Sequence, residues 1–264
     1  MKKKTIVSLM SAILMISIIL AGCGSSKETN TSEKKKEEFI YAMSGLFKPF
    51  NYKEDGKLTG FDVEIGEALA EKMEMKPKAI TFPFETIIQG LRDKKFDAIL
   101  GSMTVTEERL KAVDFTNPYY KSGSRIFVRA DNTEIKSKAD LKGKKIGVTP
   151  ATIYEKLAKE LTDQDNVMVY SQGDMTALMD LATGRVDAVI CDDIFGKVGI
   201  TQGDLKIKAV DELLQVDNQA IATNKEDKEV TGKINKALDE IIADGTYEKI
   251  SKKWFGYNLM ETEK

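Results

Sequence analysis

The stretch "IIQGLRDKKFDAILGSMTVTEERLKAVDFTNPYY", residues 87–120, decides how the rest of the chain is read. It opens with apolar residues at helical spacing, passes a charged turn, and enters the short apolar run "FDAIL", which reads as a strand. Gly101, Ser102 and Thr104 follow at the carboxyl end of that strand. A second helix starts at once, with Thr106 as its N-cap and Arg109 in its first turn. A cation there is disfavoured by about 0.3–1 kcal/mol, because the unpaired N–H groups of the first turn already carry positive charge. An incoming anion resolves the conflict. A planar guanidinium fork suits a carboxylate, and the helix start adds backbone donors aimed the same way.

The same plan recurs ninety residues later. "ALMDLATGRVDAVICDD" (177–193) is again an amphipathic helix, a turn, a strand containing Asp-Ala, and polar residues at the strand's end, here Asp192 and Asp193. Around these two units, "FIYAM", "KAITF", "RIFVR", "KIGV" and "VMVY" read as further strands. "DVEIGEALAEKM" (62–73) puts Ile65, Ala68, Leu69 and Met73 on one helical face, and 84–93, 151–161 and 174–184 behave alike. Alternating strands and helices predict an α/β fold with largely parallel sheets. Ligands of open α/β sheets bind at the carboxyl ends of strands, so two such units suggest two lobes facing one cleft. An acid across that cleft from Arg109 would match an ammonium, and cation facing anion describes an α-amino acid zwitterion. Asp192 is equally placed to cap the helix after its strand. Phe47, on the loop after the first strand, and Phe84, opening a helix after another, are placed to hold a ligand side chain between them.

The first 22 residues have a basic start, an apolar run and small residues before Cys23, the pattern of an export signal. "LAGC" resembles a bacterial lipobox, in which the cysteine is acylated. Residues 23–37 carry almost nothing to bury and read as a solvated tether. Three of the 40 basic residues fall in the leader, which leaves 37 against 42 acidic ones and a formal charge of −5. That balance gives no footprint for nucleic acid. There is no histidine, which removes Ser-His-Asp and Cys-His nucleophiles and every His-ligated metal site. With Cys23 lipidated, Cys191 has no disulfide partner. No cofactor and no metal are expected, and the chain is expected to be a monomer.

From about residue 38 to 257 the sequence resembles the polar-amino-acid class of bacterial extracytoplasmic solute-binding proteins. The likeness is carried by "GFDVEIGEALAEKM" (60–73), "FDAILGSMTVTEERLKAVDFTNPYYKSG" and "GTYEKISKKWFG" (245–256). The resemblance implies a two-lobed periplasmic-binding-protein-like fold, each lobe a mostly parallel sheet flanked by helices, with a two-strand hinge near 123–125 and 216–218. The first lobe would comprise 38–124 and, on the return, 218–264 with the C-terminal helix. The hinge and second lobe would occupy 125–217. It further implies a lipid-anchored protein on the outer face of the cell membrane that delivers one amino acid to the permease of an ABC importer. By position, Arg109 would hold the α-carboxylate, helped by Thr104, the backbone at Gly101 and Ser102, and Thr149 and Ile153 of the second lobe. Asp192 would take the α-ammonium, and Phe47 and Phe84 the side chain. Ser44 stands where an acid is common, "TPAT" (149–152) replaces a glycine-containing turn, and Cys191 precedes Asp192. These departures favour a neutral ligand such as glutamine or cystine. The alternative is an enzyme on the same fold, such as a dehydratase.

Overall fold

The computed structural model describes residues 37–261; the leader, Cys23 and nearly all of the tether lie outside them. In chain order the elements begin with β1 (Glu38–Met43), β2 (Leu46–Phe47), β3 (Asn51–Glu54), β4 (Lys57–Thr59), α1 (Phe61–Lys72) and β5 (Lys76–Thr81). Next come α2 (Phe84–Arg92), β6 (Ala98–Thr104), α3 (Glu107–Ala112) and the long strand β7 (Val113–Arg129). Then follow β8 (Ile146–Val148), α4 (Ile153–Leu161), β9 (Val167–Val169), α5 (Asp174–Ala182), β10 (Ala188–Asp192) and α6 (Asp193–Thr201). The chain returns through β11 (Ile207–Asn224) and closes with α7 (Lys228–Ala243) and α8 (Thr246–Phe255).

Eight strands run in the order β5-β1-β6-β11-β7-β10-β8-β9. Within each half the neighbours are parallel, β5 with β1 and β1 with β6 on one side, β10 with β8 and β8 with β9 on the other. The two halves are joined by β7 and β11, which are antiparallel to each other over most of their length. Ser124 faces Gln215 and Gly123 faces Val216 across that pair. The fold is the expected two-lobed α/β arrangement, each parallel sheet flanked by helices and the two joined by a pair of crossing strands.

Amphipathic spacing does place the helices. Ile65 and Leu69 of α1 are fully buried against Ile234, Leu238 and Ile241 of α7 and Tyr247 of α8. A second cluster, with Ile126, Leu141, Ile146, Val148, Tyr154 and Ile190, fills the other half. The strand reading stops short, however. Only "RIFVR" was expected in a region where β7 runs for 17 residues. Its earlier half contains Pro118, which lacks an N–H donor, and the β7–β11 register slips where Pro118 faces Ala220. A proline sits in a sheet at such an irregularity, so local composition hides a strand that long-range pairing creates.

Candidate functional site

The carboxyl ends of the parallel strands in both halves converge on one cavity of about 470 Å³. Ser44 follows β1, Phe84 follows β5, and Gly101, Ser102 and Thr104 end β6. From the other half come Thr149, just beyond β8, and Ile153, the first residue of α4. Phe47 and Arg109 complete the expected group, so nine of the ten anticipated residues meet on this wall.

Arg109 is held by local sequence. The Thr106 hydroxyl accepts from the Arg109 backbone N–H at 3.1 Å and starts α3 as expected. The guanidinium then turns back, donating to the Thr104 carbonyl at 2.7 Å and reaching the Ala151 carbonyl across the cavity at 3.4 Å. It lies 5.6 Å above the Phe84 ring centre, in cation–π range. Among the described residues it forms no ion pair. Burial pushes its pKa down, and the nearby Tyr154, Glu108 and Asp217 pull it back up. A half-buried guanidinium without a carboxylate partner, lying on a concave wall at strand ends, is built to receive an anion.

Comparison with known proteins agrees with that geometry. The sequence profile of the bacterial extracellular solute-binding proteins, family 3, matches residues 39–257. The chain belongs to that family. It is 36% identical over 270 residues to the probable amino-acid-binding protein YxeM of Bacillus subtilis, covering 99% of this chain and 98% of that one. It is 38% identical to the L-arginine-binding protein of Pseudomonas aeruginosa, covering 82% and 87% of the two chains. Among solved structures, an ancestral arginine-binding protein bound to arginine superposes with a TM-score of 0.77 at 38% identity, over 84% of this chain and all of that one.

Within this solute-binding protein, a buried network shapes the lobe-one wall. Asp62, buried at the start of α1, accepts from the Tyr119 hydroxyl at 2.7 Å, the Asn51 amide at 2.7 Å and the Ser102 hydroxyl at 3.0 Å. Burial raises its carboxyl to about 6, with those three hydrogen bonds pulling the other way. Ser102 itself has φ +55, and its backbone N–H donates to the Tyr119 hydroxyl at 2.9 Å. That N–H is therefore engaged inside the protein. The expectation that it would aim at a ligand carboxylate is corrected: what Ser102 presents is set by Asp62 and Tyr119. Thr104 supplies the carbonyl that anchors Arg109, while its hydroxyl donates to Gln219 at 3.1 Å.

Asp192 is the tenth residue, and it does not line the cavity. It is the N-cap of α6, its carboxylate accepting from the Phe195 N–H at 3.0 Å. Burial pushes its carboxyl up to about 7, opposed by Ser122 and the Phe195 N–H. Its charge is felt at Tyr154, which does line the cavity, so Asp192 is near the wall without lining it. Neighbouring Asp193 is engaged with Arg125 at 2.5 Å and Lys197 at 2.9 Å. The aromatic pair also differs from expectation. Phe47 stacks on Phe195 of the other half, with ring centres 4.5 Å apart and planes 3° from parallel, while Phe84 supports Arg109. The two rings serve different partners. Cys191 is a buried free thiol, its pKa raised by burial.

Among the other residues on the wall is a buried acid that the sequence reading did not anticipate. Asp174, the first residue of α5, is buried and lines the cavity, and its carboxylate accepts from the Thr149 hydroxyl at 2.7 Å. Burial raises it to about 6, with Thr149 pulling the other way. The signal was available in "SQGDM": a polar loop at the carboxyl end of β9 with an acid at a helix start follows the same grammar as Thr149 and Ser102. An acid at a helix's first position also complements the helix dipole, so local sequence does not separate a ligand-facing acid from a structural one.

Proposed function

We propose that the protein is an extracytoplasmic receptor that captures one free amino acid between its lobes and hands it to the permease of an ABC importer. The observation that carries this reading is Arg109, a half-buried guanidinium without an ion-pair partner among the described residues, facing the cavity at the strand ends. In a protein of this family, the group it awaits is the ligand's α-carboxylate, with Thr149 and the first-turn N–H groups of α4 beside it. The α-ammonium is assigned to Asp192, whose carboxylate has no basic partner among the described residues. Reaching it requires the wall around Tyr154 and the stacked Phe47 and Phe195 to rearrange when ligand enters. Because Arg109 and Asp192 sit on opposite halves, the two ends of one zwitterion tie binding to closure of the lobes. The lobes follow the division at 38–124, 125–217 and 218–264.

No chemistry is assigned to the cavity. The chain has no histidine, and the relatives described above are named as binding proteins. The test is a thermal-shift screen of the twenty amino acids and cystine, followed by calorimetry on wild type and Arg109→Ala. Saturable binding that the substitution abolishes supports the reading; affinity within threefold of wild type overturns the role of Arg109. Turnover of any amino acid in the same mixtures would favour the dehydratase alternative. The anchor is proposed to be lipid on Cys23, so Cys23→Ala should leave the membrane fraction after a carbonate wash.

A further inference from the structure

The cavity carries an anion as well as a cation. Asp174 is 4% exposed and lines the cavity. Thr149 is the only hydrogen-bond partner of its carboxylate among the described residues, and no basic group pairs with it. A buried carboxylate left without a cation is costly, and such groups are ordinarily paired. Its surroundings differ from those of Arg109. Asp174 sits with Ser171 and Gly173, where a Cβ added at Gly173 would lie 3.0 Å from the Leu46 carbonyl oxygen. Arg109 sits with Thr104, Phe84 and Ala151. The segment Thr149–Ile153 links the two regions, touching Asp174 through Thr149 and Arg109 through Ala151. A ligand anchored at Arg109 by its α-carboxylate therefore has a second charged group to meet.

We propose that Asp174 forms an acidic subsite for the side chain of the ligand, selecting amino acids that end in a guanidinium, an ammonium or a second amino acid head group. The inference rests on the amino-acid reading given above and goes further by naming the ligand class. It also replaces the neutral preference drawn from Ser44. That position does lack an acid, and its hydroxyl bonds Asn51 at 3.2 Å, but the opposite lobe supplies one. A carboxylate facing a cationic side chain makes charge-assisted bonds that a neutral isostere cannot make, and a site built for the charged group penalises the analogue lacking it.

L-Arginine and L-citrulline test this directly, since they share length and shape and differ in the charge of the terminal group. Calorimetry on wild type should favour arginine by tenfold or more. Asp174→Asn, which can still accept from Thr149, should hold citrulline within threefold of wild type and bring the preference for arginine below threefold. Asp174→Glu, which retains the charge, should keep part of the preference. A wild type that binds both equally, or an Asp174→Asn variant with its preference intact, overturns the proposal. Equal weakening of both ligands in a variant of unchanged melting temperature overturns it too and moves the α-ammonium to Asp174. If neither ligand nor any other amino acid binds wild type, the amino-acid reading itself fails, which is a different result from binding without charge preference.

Discussion

Raising the pH from 5 to 7.5 should destabilise the ligand-free protein, and the size of the effect follows from three buried acids. Asp62 and Asp174 are raised to about 6 and Asp192 to about 7, all chiefly by burial. In the unfolded chain each ionises near 3.9. Between those values the folded state holds protons that the unfolded state has released, so stability falls as pH rises through the window. From pH 5 to 7.5 the linkage relation gives about 1 kcal/mol for each of Asp62 and Asp174 and about 2 for Asp192. Asp97, Asp217 and Glu67 are also raised by burial and act in the same direction. Surface acids held low by lysine or arginine, such as Asp131 and Glu134, titrate below this window. The chain has no histidine, the side chain that ordinarily obscures this range. Denaturant unfolding at pH 5, 6, 7 and 7.5 should show a monotonic loss of several kcal/mol, and a melting temperature lower by about 5–15 °C at the upper end. A saturating cationic ligand should flatten the dependence by pairing the buried charges. Stability that is constant or rises across the window would refute the claim that these carboxyls are buried without cations.

Three substitutions probe the site further. Arg109→Lys keeps the charge but loses the fork, and with about 1.5–3 kcal/mol per charge-assisted bond calorimetry should find amino-acid affinity about ten- to a hundredfold weaker. Asp192→Asn can still cap α6 and should leave the melting temperature nearly unchanged, whereas Asp192→Ala should cost about 0.5–2 kcal/mol. If Asp192 also takes the α-ammonium, the Asn variant weakens binding by about 2–5 kcal/mol, and an unchanged dissociation constant reduces it to a cap. At Gly101 an added Cβ would lie 3.2 Å from both Cα and Cβ of Met43 on the neighbouring strand. Gly101→Val should therefore cost about 1–3 kcal/mol by overpacking, seen as a lower melting temperature, and a melting temperature equal to wild type would mean that β1 and β6 separate freely there.

The sequence by itself determined the features that arise within a few residues or from periodic burial. Thr106 caps α3 because a hydroxyl before a helix accepts from the N–H three residues on, whatever surrounds it. Ile65 and Leu69 are interior because their spacing leaves them on one stripe of α1. The convergence of Ser102, Thr104, Arg109 and Thr149 was legible because strand ends in parallel sheets share one side. Tertiary structure decided what depends on partners remote in the chain. β7 runs through Pro118 because β11, a hundred residues later, supplies the pairing. Phe47 faces Phe195 and not Phe84, because the opposite half brings a flat ring within stacking distance. The places of two acids were decided in the same way. Asp192 and Asp174 each stand where a strand end passes into a helix, Asp192 as the cap of α6 and Asp174 as the first residue of α5, and local sequence gives both the same meaning. Only the packing of the surrounding elements makes Asp174, bonded to Thr149, part of the cavity lining and leaves Asp192 out of it.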